Sequence, residues 1–211
     1  MRHYTLADKL INHADQVLRT LTPSATAALR PNPATSLPSL LTSEQQTEVA
    51  GLMRVNHSGE VCAQALYHGQ ALTAKLPTVR QEMQHAALEE QDHLAWCEDR
   101  LEELNSQPSL LNPLWYGLSF GIGAAAGIAG DKWSLGFVVE TEKQVCSHLE
   151  DHLQRIPIND ERTHAILTQM HQDEDQHRQQ AQDAGGAELP PPIKHLMGFI
   201  SKIMTKTSFY V

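Results

Sequence analysis

The sequence predicts an all-α protein. Aromatic residues make up only 5% of the chain. Ala, Leu, Gln and Glu are abundant, and no run of alternating β-branched residues reads as a strand. At 211 residues the chain is long enough for one well-formed core and short for two full domains.

The elements follow in order. Residues 5–21 put Leu6, Leu10, Ala14, Val17, Leu18 and Leu21 at helical spacing, a short amphipathic helix. The stretch TPSATAALRPNPATSLPSLLTSEQ holds four prolines and many small residues and reads as a linker up to Ser43. Ser43 can cap a long helix over 43–75, and Pro77 then breaks the chain. Thr78 can cap a second helix over 78–104, ended by NSQPSLLNP. The stretch LWYGLSFGIGAAAGIAG is uncharged and apolar. It is short of the ~20 residues a span needs and crowded with glycine, so a close-packed or membrane-facing element is expected. A third helix is expected over 132–154, a break at Pro157, and a fourth helix over 160–184. In LPPPIKHLMGFISKIMTKTSFYV, Ile193, Leu196, Met197, Ile200, Ile203 and Met204 share one face while Lys194, Lys202 and Lys206 face away. Such a face suits a membrane interface or packing on a bundle. The expected organisation is an N-terminal helix and Pro-rich linker over 1–43, a bundle over 44–184 and an amphipathic membrane-facing segment over 185–211.

The net charge of -9 and the absence of a Lys/Arg-rich stripe argue against a nucleic-acid surface. Cys62, Cys97 and Cys146 are odd in number, widely spaced and helical, which fits buried thiols in a reducing compartment. MRHYTLADKL has no apolar signal core, so no secretion signal is expected.

The second and fourth helices carry chemistry on their apolar stripes. With 15 Glu and 12 His in the chain, chance predicts about 0.9 Glu-x-x-His pairs. Four occur: Glu82/His85, Glu90/His93, Glu161/His164 and Glu174/His177. At about 100° per residue, Glu90/His93 and Glu174/His177 share the apolar stripes, whereas Glu82, His85 and Glu161 are turned toward water. In an antiparallel hairpin, residues at equal height are equidistant from the turn. Reflecting the inner pairs through the turns at Pro77 and Pro157 reaches Glu60 and Glu142, each on an apolar stripe, while Glu140 points off it. Glu60, Glu90 and His93 thus repeat as Glu142, Glu174 and His177, a pseudo-repeat of two helical hairpins.

Four buried glutamates would repel one another. Two ferrous ions would offset their charge, and each would gain an imidazole. A Glu from each of two helices and Glu-x-x-His from each of the other two is the ligand pattern of ferritin-like di-iron or di-manganese bundles. The expected fold is therefore a ferritin-like four-helix bundle built from two helical hairpins, with extra amphipathic helices at both termini. Zinc is less suited to so oxygen-rich a site.

The segments MRVNHSGEVCAQALYHGQ, LEEQDHLAWC, GDKWSLGFVVETE and MHQDEDQHRQQA together resemble the demethoxyubiquinone hydroxylase family over 45–185. The string from Arg54 to Glu60 is the most specific part. The resemblance implies Glu60, Glu90, His93, Glu142, Glu174 and His177 as ligands of two iron ions. It also implies an O2-dependent mono-oxygenase that hydroxylates the ring of a demethoxy-polyprenyl-benzoquinol in ubiquinone biosynthesis. His148 matches a histidine the family keeps near the centre, in a supporting role. Mitochondrial members follow it with Tyr; Leu149 stands here, so an electron route through that tyrosine is not carried over. The implied setting is the cytoplasmic face of a bacterial inner membrane, as a peripheral protein. Expected partners are the quinol, O2 and the membrane surface, with room for a lipid-binding or biosynthetic-complex partner and for a homo-oligomer. The competing readings on the same ligands are a di-iron quinol oxidase and a ferritin-like iron store or peroxidase.

Overall fold

The computed structural model describes residues 5–211 apart from 24 and 26, with only the backbone of Leu6, Ala7, Lys9 and Leu10. The Leu6 and Leu10 side chains of the first expected stripe therefore lie outside the described residues. Seven helices and no named strand occur among the described residues: α1 (Leu6–Leu21), α2 (Ser43–Thr73), α3 (Pro77–Glu103), α4 (Asn112–Ala129), α5 (Asp131–Arg155), α6 (Glu161–Asp183) and α7 (Pro191–Ser208).

Local chemistry sets the helix ends. Thr5 and Asp8 form a capping box at α1. A second box opens α2, but it is built by Thr42 rather than the expected Ser43: Thr42 Oγ1 accepts from the Gln45 N–H at 3.3 Å, and Gln45 Oε1 accepts from the Thr42 N–H at 3.0 Å. Pro77 does not merely separate α2 from α3. It is the first residue of α3, where a fixed φ and a missing N–H suit the orphaned first turn, and Thr78 is not the cap. Asp160 caps α6 by accepting from the Thr163 N–H at 3.3 Å.

Hairpins α2–α3 and α5–α6 make the bundle, and α4 lies along α2. The glycine-rich stretch is therefore a close-packed helix. A Cβ on Gly69 would strike the backbone of Phe120, and one on Gly123 would strike the backbone of Leu66. The two helices touch because both positions lack one. No described helix is long and apolar enough to cross a membrane.

The described residues of the linker form a strap against the bundle. It pairs Ser39 with Asp160 in an isolated bridge and buries Ala34 in the core beside Leu101, Ile166 and Leu167. That core also holds Met53, Trp96, Leu149 and Met170. A second holds Ala63, Tyr67, Met83, Leu135, Val138 and Ala181. On each of the four bundle helices the acidic and histidine positions of interest fall between these two apolar cores. Cys97 and Cys146 are buried and Cys62 is half-buried, all as free thiols.

α7 packs on α2 and α5. The Trp115 Nε1–H donates to Ser208 Oγ at 3.1 Å, and Arg54 donates to the Phe209 carbonyl at 2.8 Å. Its apolar residues divide: Met197, Ile200 and Met204 turn to a groove, whereas Leu196, Phe199 and Ile203 are exposed.

Candidate metal centre

Glu60, Glu90, His93 and Glu174 are all buried, and one ligand atom from each lies within 4.8 Å of all the others. His177 joins them, its Nδ1 3.1 Å from Glu90 Oε1 and 3.4 Å from Glu174 Oε2. Glu142 faces the same charges, those of Glu174, Glu90 and His177, and is 1% exposed. Five of the six residues expected from the sequence are thus within contact distance of one another, and the sixth, Glu142, is buried where their charges bear on it. Glu82 and His85 are exposed, and Glu161 with them. Glu140 is covered without entering the cluster: it accepts from Gln144 Nε2 at 2.8 Å and lies 3.9 Å from Lys194 Nζ.

The donors converge on points between them rather than on one another. His93 Nδ1 lies 3.0 Å from Glu90, 3.2 Å from Glu174 and 3.6 Å from Glu60, more oxygens than one ring N–H can serve. Glu142 Oε2 and Glu60 Oε2 are buried and accept no hydrogen bond. Unsatisfied carboxylate oxygens in a dry core are costly unless a cation meets them. This oxygen-rich set with two imidazoles fits hard or borderline divalent ions, so the buried cluster could hold metal.

Charge in the cluster is held by compensation. Burial, with the neighbouring charges of Glu174 and Glu90, pushes the Glu142 carboxyl well above its usual range, and burial does the same for Glu60. Burial opposes charge on Glu90 too, yet the imidazoles of His177 and His93 pull it below the usual range. His93 and His177 are raised despite burial, because carboxylates surround them. A divalent ion would take over the role of these protons, as metal binding requires deprotonated ligands.

Four further residues around the centre have no role assigned from the sequence. The Tyr67 hydroxyl donates to Glu142 Oε1. Each imidazole is oriented from behind: His93 Nε2 lies 2.8 Å from Asp173 Oδ2, and His177 Nε2 lies 2.9 Å from Glu89 Oε2. A carboxylate behind a ligating imidazole fixes its tautomer and its ring orientation. The signal was present, since an acid directly precedes the inner glutamate in both halves, Glu89–Glu90 and Asp173–Glu174. The fourth is Asn56. His148 is not in the cluster; its Nε2 donates to Asn56 Oδ1 at 3.1 Å, and His152 Nδ1 donates to the same oxygen at 2.9 Å. Burial lowers His148 to about 4 and His152 to about 2, so both rings are neutral near pH 7.

An apolar groove of about 160 Å³ runs between α2, α4, α5 and α7. Leu66, Ile122, Phe137, Val145, Met197 and Ile200 line its walls, and Glu60 and His148 also border it.

Two hairpins that bring four glutamates and two histidines together between apolar cores define the class of ferritin-like carboxylate bundles. Within that class, residues 47–208 match the family described as ubiquinone biosynthesis protein COQ7, and the chain belongs to that family. The chain is 68% identical over 211 residues to a protein of Acinetobacter baumannii named 3-demethoxyubiquinol 3-hydroxylase, covering all of both chains. Proteins of the same name from Acinetobacter baylyi and Pseudomonas putida are 68% and 56% identical over 211 residues, covering 100% of this chain in each case and 100% and 98% of theirs.

Proposed function

We propose that this protein is a 3-demethoxyubiquinol 3-hydroxylase, an O2-dependent di-iron mono-oxygenase acting on a polyprenyl quinol. The observation that carries the reading is the apolar groove bordered by Glu60, since a water-insoluble ring and tail need a dry path to the centre. Full-length identity to relatives bearing that name supports the same substrate.

Glu60, Glu90, His93, Glu142, Glu174 and His177 would hold two iron ions. Bound iron would supply the redox chemistry that reduces O2 and delivers one oxygen atom to the ring. The chain supplies the rest. The groove walls exclude water and align the flat ring on the Glu60 side of the cluster. Because His148 Nε2 carries the proton given to Asn56 and burial keeps the ring neutral, its Nδ1 is an acceptor that can orient a quinol hydroxyl by a hydrogen bond at the groove wall. Tyr67 and Glu142 hold a proton between them beside the centre.

A short-chain demethoxyquinol, incubated with iron-loaded protein, a reductant and isotopically labelled O2, should gain one labelled oxygen on the ring by mass spectrometry. Oxidised but unlabelled quinone with O2 consumed would make the protein a quinol oxidase, and iron uptake with neither product would make it an iron store.

The membrane placement belongs to the same reading: a peripheral protein on the cytoplasmic face of a bacterial inner membrane. Its support is outward apolar surface, Leu196, Phe199 and Ile203 on α7 with Leu114, Leu118 and Ile128 on α4. A lipid-binding partner or a second copy would dock on the same surface. The proposed units are an N-terminal amphipathic helix and Pro-rich linker over 1–43, the bundle over 44–184 and the membrane-facing segment over 185–211. Deleting that segment would also open the groove, because Met197, Ile200 and Met204 line it. The cleaner variant carries Leu196→Ser, Phe199→Ser and Ile203→Ser together. Vesicle flotation should fall about tenfold or more, since each large side chain contributes roughly 1.5–3 kcal/mol when buried, while turnover of a short-chain quinol in detergent is kept. Unchanged flotation would remove α7 from the membrane contact.

A further inference from the structure

The two halves of the centre are alike in their ligands and unlike in what lies behind them. Asp173, behind His93, lies 2.8 Å from Arg30 Nη2 through the same Oδ2 that meets the imidazole. Its other oxygen accepts from Gln169 Nε2 at 2.9 Å. Arg30 comes from the N-terminal strap, outside the part of the chain that matches the family. Asp92 anchors it there: this buried carboxylate accepts from the Leu29 N–H at 2.6 Å and from Arg30 Nε at 2.6 Å. The guanidinium also lies over Trp96, 5.0 Å from the ring centroid, and Trp96 packs against His93. Arg30 is itself 41% exposed, but beneath it Asp173 is only 14% exposed and His93 0%.

The His177 side has no such cover among the described residues. Glu89, behind His177, is 40% exposed, and its remaining partner is the exposed His85, 3.3 Å away. His177 and Glu89 border a cleft of about 250 Å³ together with Glu82, His85 and Gln180. This cleft, whose other walls are apolar, lies away from the first groove, and no residue lines both.

We propose that Arg30 is a positioning residue that seals the His93 side, so that the ion beside His93 is retained while the ion beside His177 exchanges through the Glu82–His85–Glu89 cleft. The inference rests on the two-ion reading above. A carboxylate that orients a ligating imidazole influences metal affinity by about 10–100-fold. Clamping that carboxylate on one side and leaving it half-exposed on the other makes two chemically similar sites unequal. The strap thus gives one ion position a fixed character and leaves the other open to loading.

The test is release of iron from anaerobically Fe(II)-loaded full-length protein into excess chromogenic chelator. The wild type should lose two ions in two phases of equal amplitude, separated about tenfold or more. Arg30→Gln should speed the slow phase about tenfold and leave the fast phase alone, and Arg30→Lys, which keeps the charge but cannot span Asp92 and Asp173, should fall between. Glu89→Gln should speed only the fast phase. A purely structural strap would move both phases together or neither, and either result for Arg30→Gln overturns the proposal, as does single-phase loss of two ions from the wild type. A wild type that binds no iron would overturn the centre itself and this inference with it.

Discussion

Glu142→Ala is expected to abolish hydroxylation and to lower the iron content, whereas Glu140→Ala, two residues away, keeps most of both. The two glutamates are nearly equally hidden, at 1% and 9% exposure, so burial does not separate them. Direction does. Glu142 turns inward to Tyr67, with one oxygen left unsatisfied in the core, while Glu140 turns to Gln144 and Lys194 beneath α7. Residues that only orient a ligand influence metal affinity by about 10–100-fold, so loss of a ligand should exceed about 100-fold in turnover. Glu140→Ala removes one hydrogen bond and a long ion pair, about 1 kcal/mol of stability. Turnover, iron content and thermal unfolding, measured on both variants, decide the matter. Equal losses of turnover in the two would refute the inward placement of Glu142.

The largest effect on stability should come from Arg100→Ala. Arg100 and Asp160 are 3% and 0% exposed and meet at 2.8 Å. The same guanidinium donates to Thr163 Oγ1 at 2.8 Å and to Ser39 Oγ at 2.9 Å. This one side chain joins the end of α3, the cap of α6 and the strap. Truncating it leaves the Asp160 carboxylate buried without its cation, a loss of about 3–5 kcal/mol. For a chain of this size that corresponds to a melting temperature lower by roughly 10 °C. Arg155→Ala, whose partner Glu48 is 46% exposed, should cost less than about 1 kcal/mol. Denaturant unfolding of the two variants checks the contrast, and similar losses in both would show that Asp160 is compensated without Arg100.

The helices and the six inward residues were legible because one physical constraint, burial of polar groups on an apolar stripe, leaves a periodic trace. Hairpin symmetry then tied Glu60 to the Glu90/His93 pair and Glu142 to the Glu174/His177 pair. What surrounds them left no such trace. The Arg30–Asp92 and Arg30–Asp173 contacts join residues 62 and 143 positions apart through a strap that has no periodicity. The Asn56 oxygen shared by His148 and His152 depends on how α2 and α5 face each other. The strap read as a linker because its prolines and small residues resemble those of free chain, and its place comes from what it packs on. The glycines of α4 resembled a poor membrane segment until the approach to α2 accounted for Gly123.

The carboxylates behind the two imidazoles are exchanged between the hairpins. His93 on α3 is oriented by Asp173 on α6, and His177 on α6 by Glu89 on α3. Neither hairpin alone can both present its imidazole and hold it in place, so full metal affinity arrives only when the halves are docked. Ion binding therefore draws its free energy from the docked state. Above saturation, each tenfold rise in free ion would make separation of the halves harder by about 1.4 kcal/mol per ion.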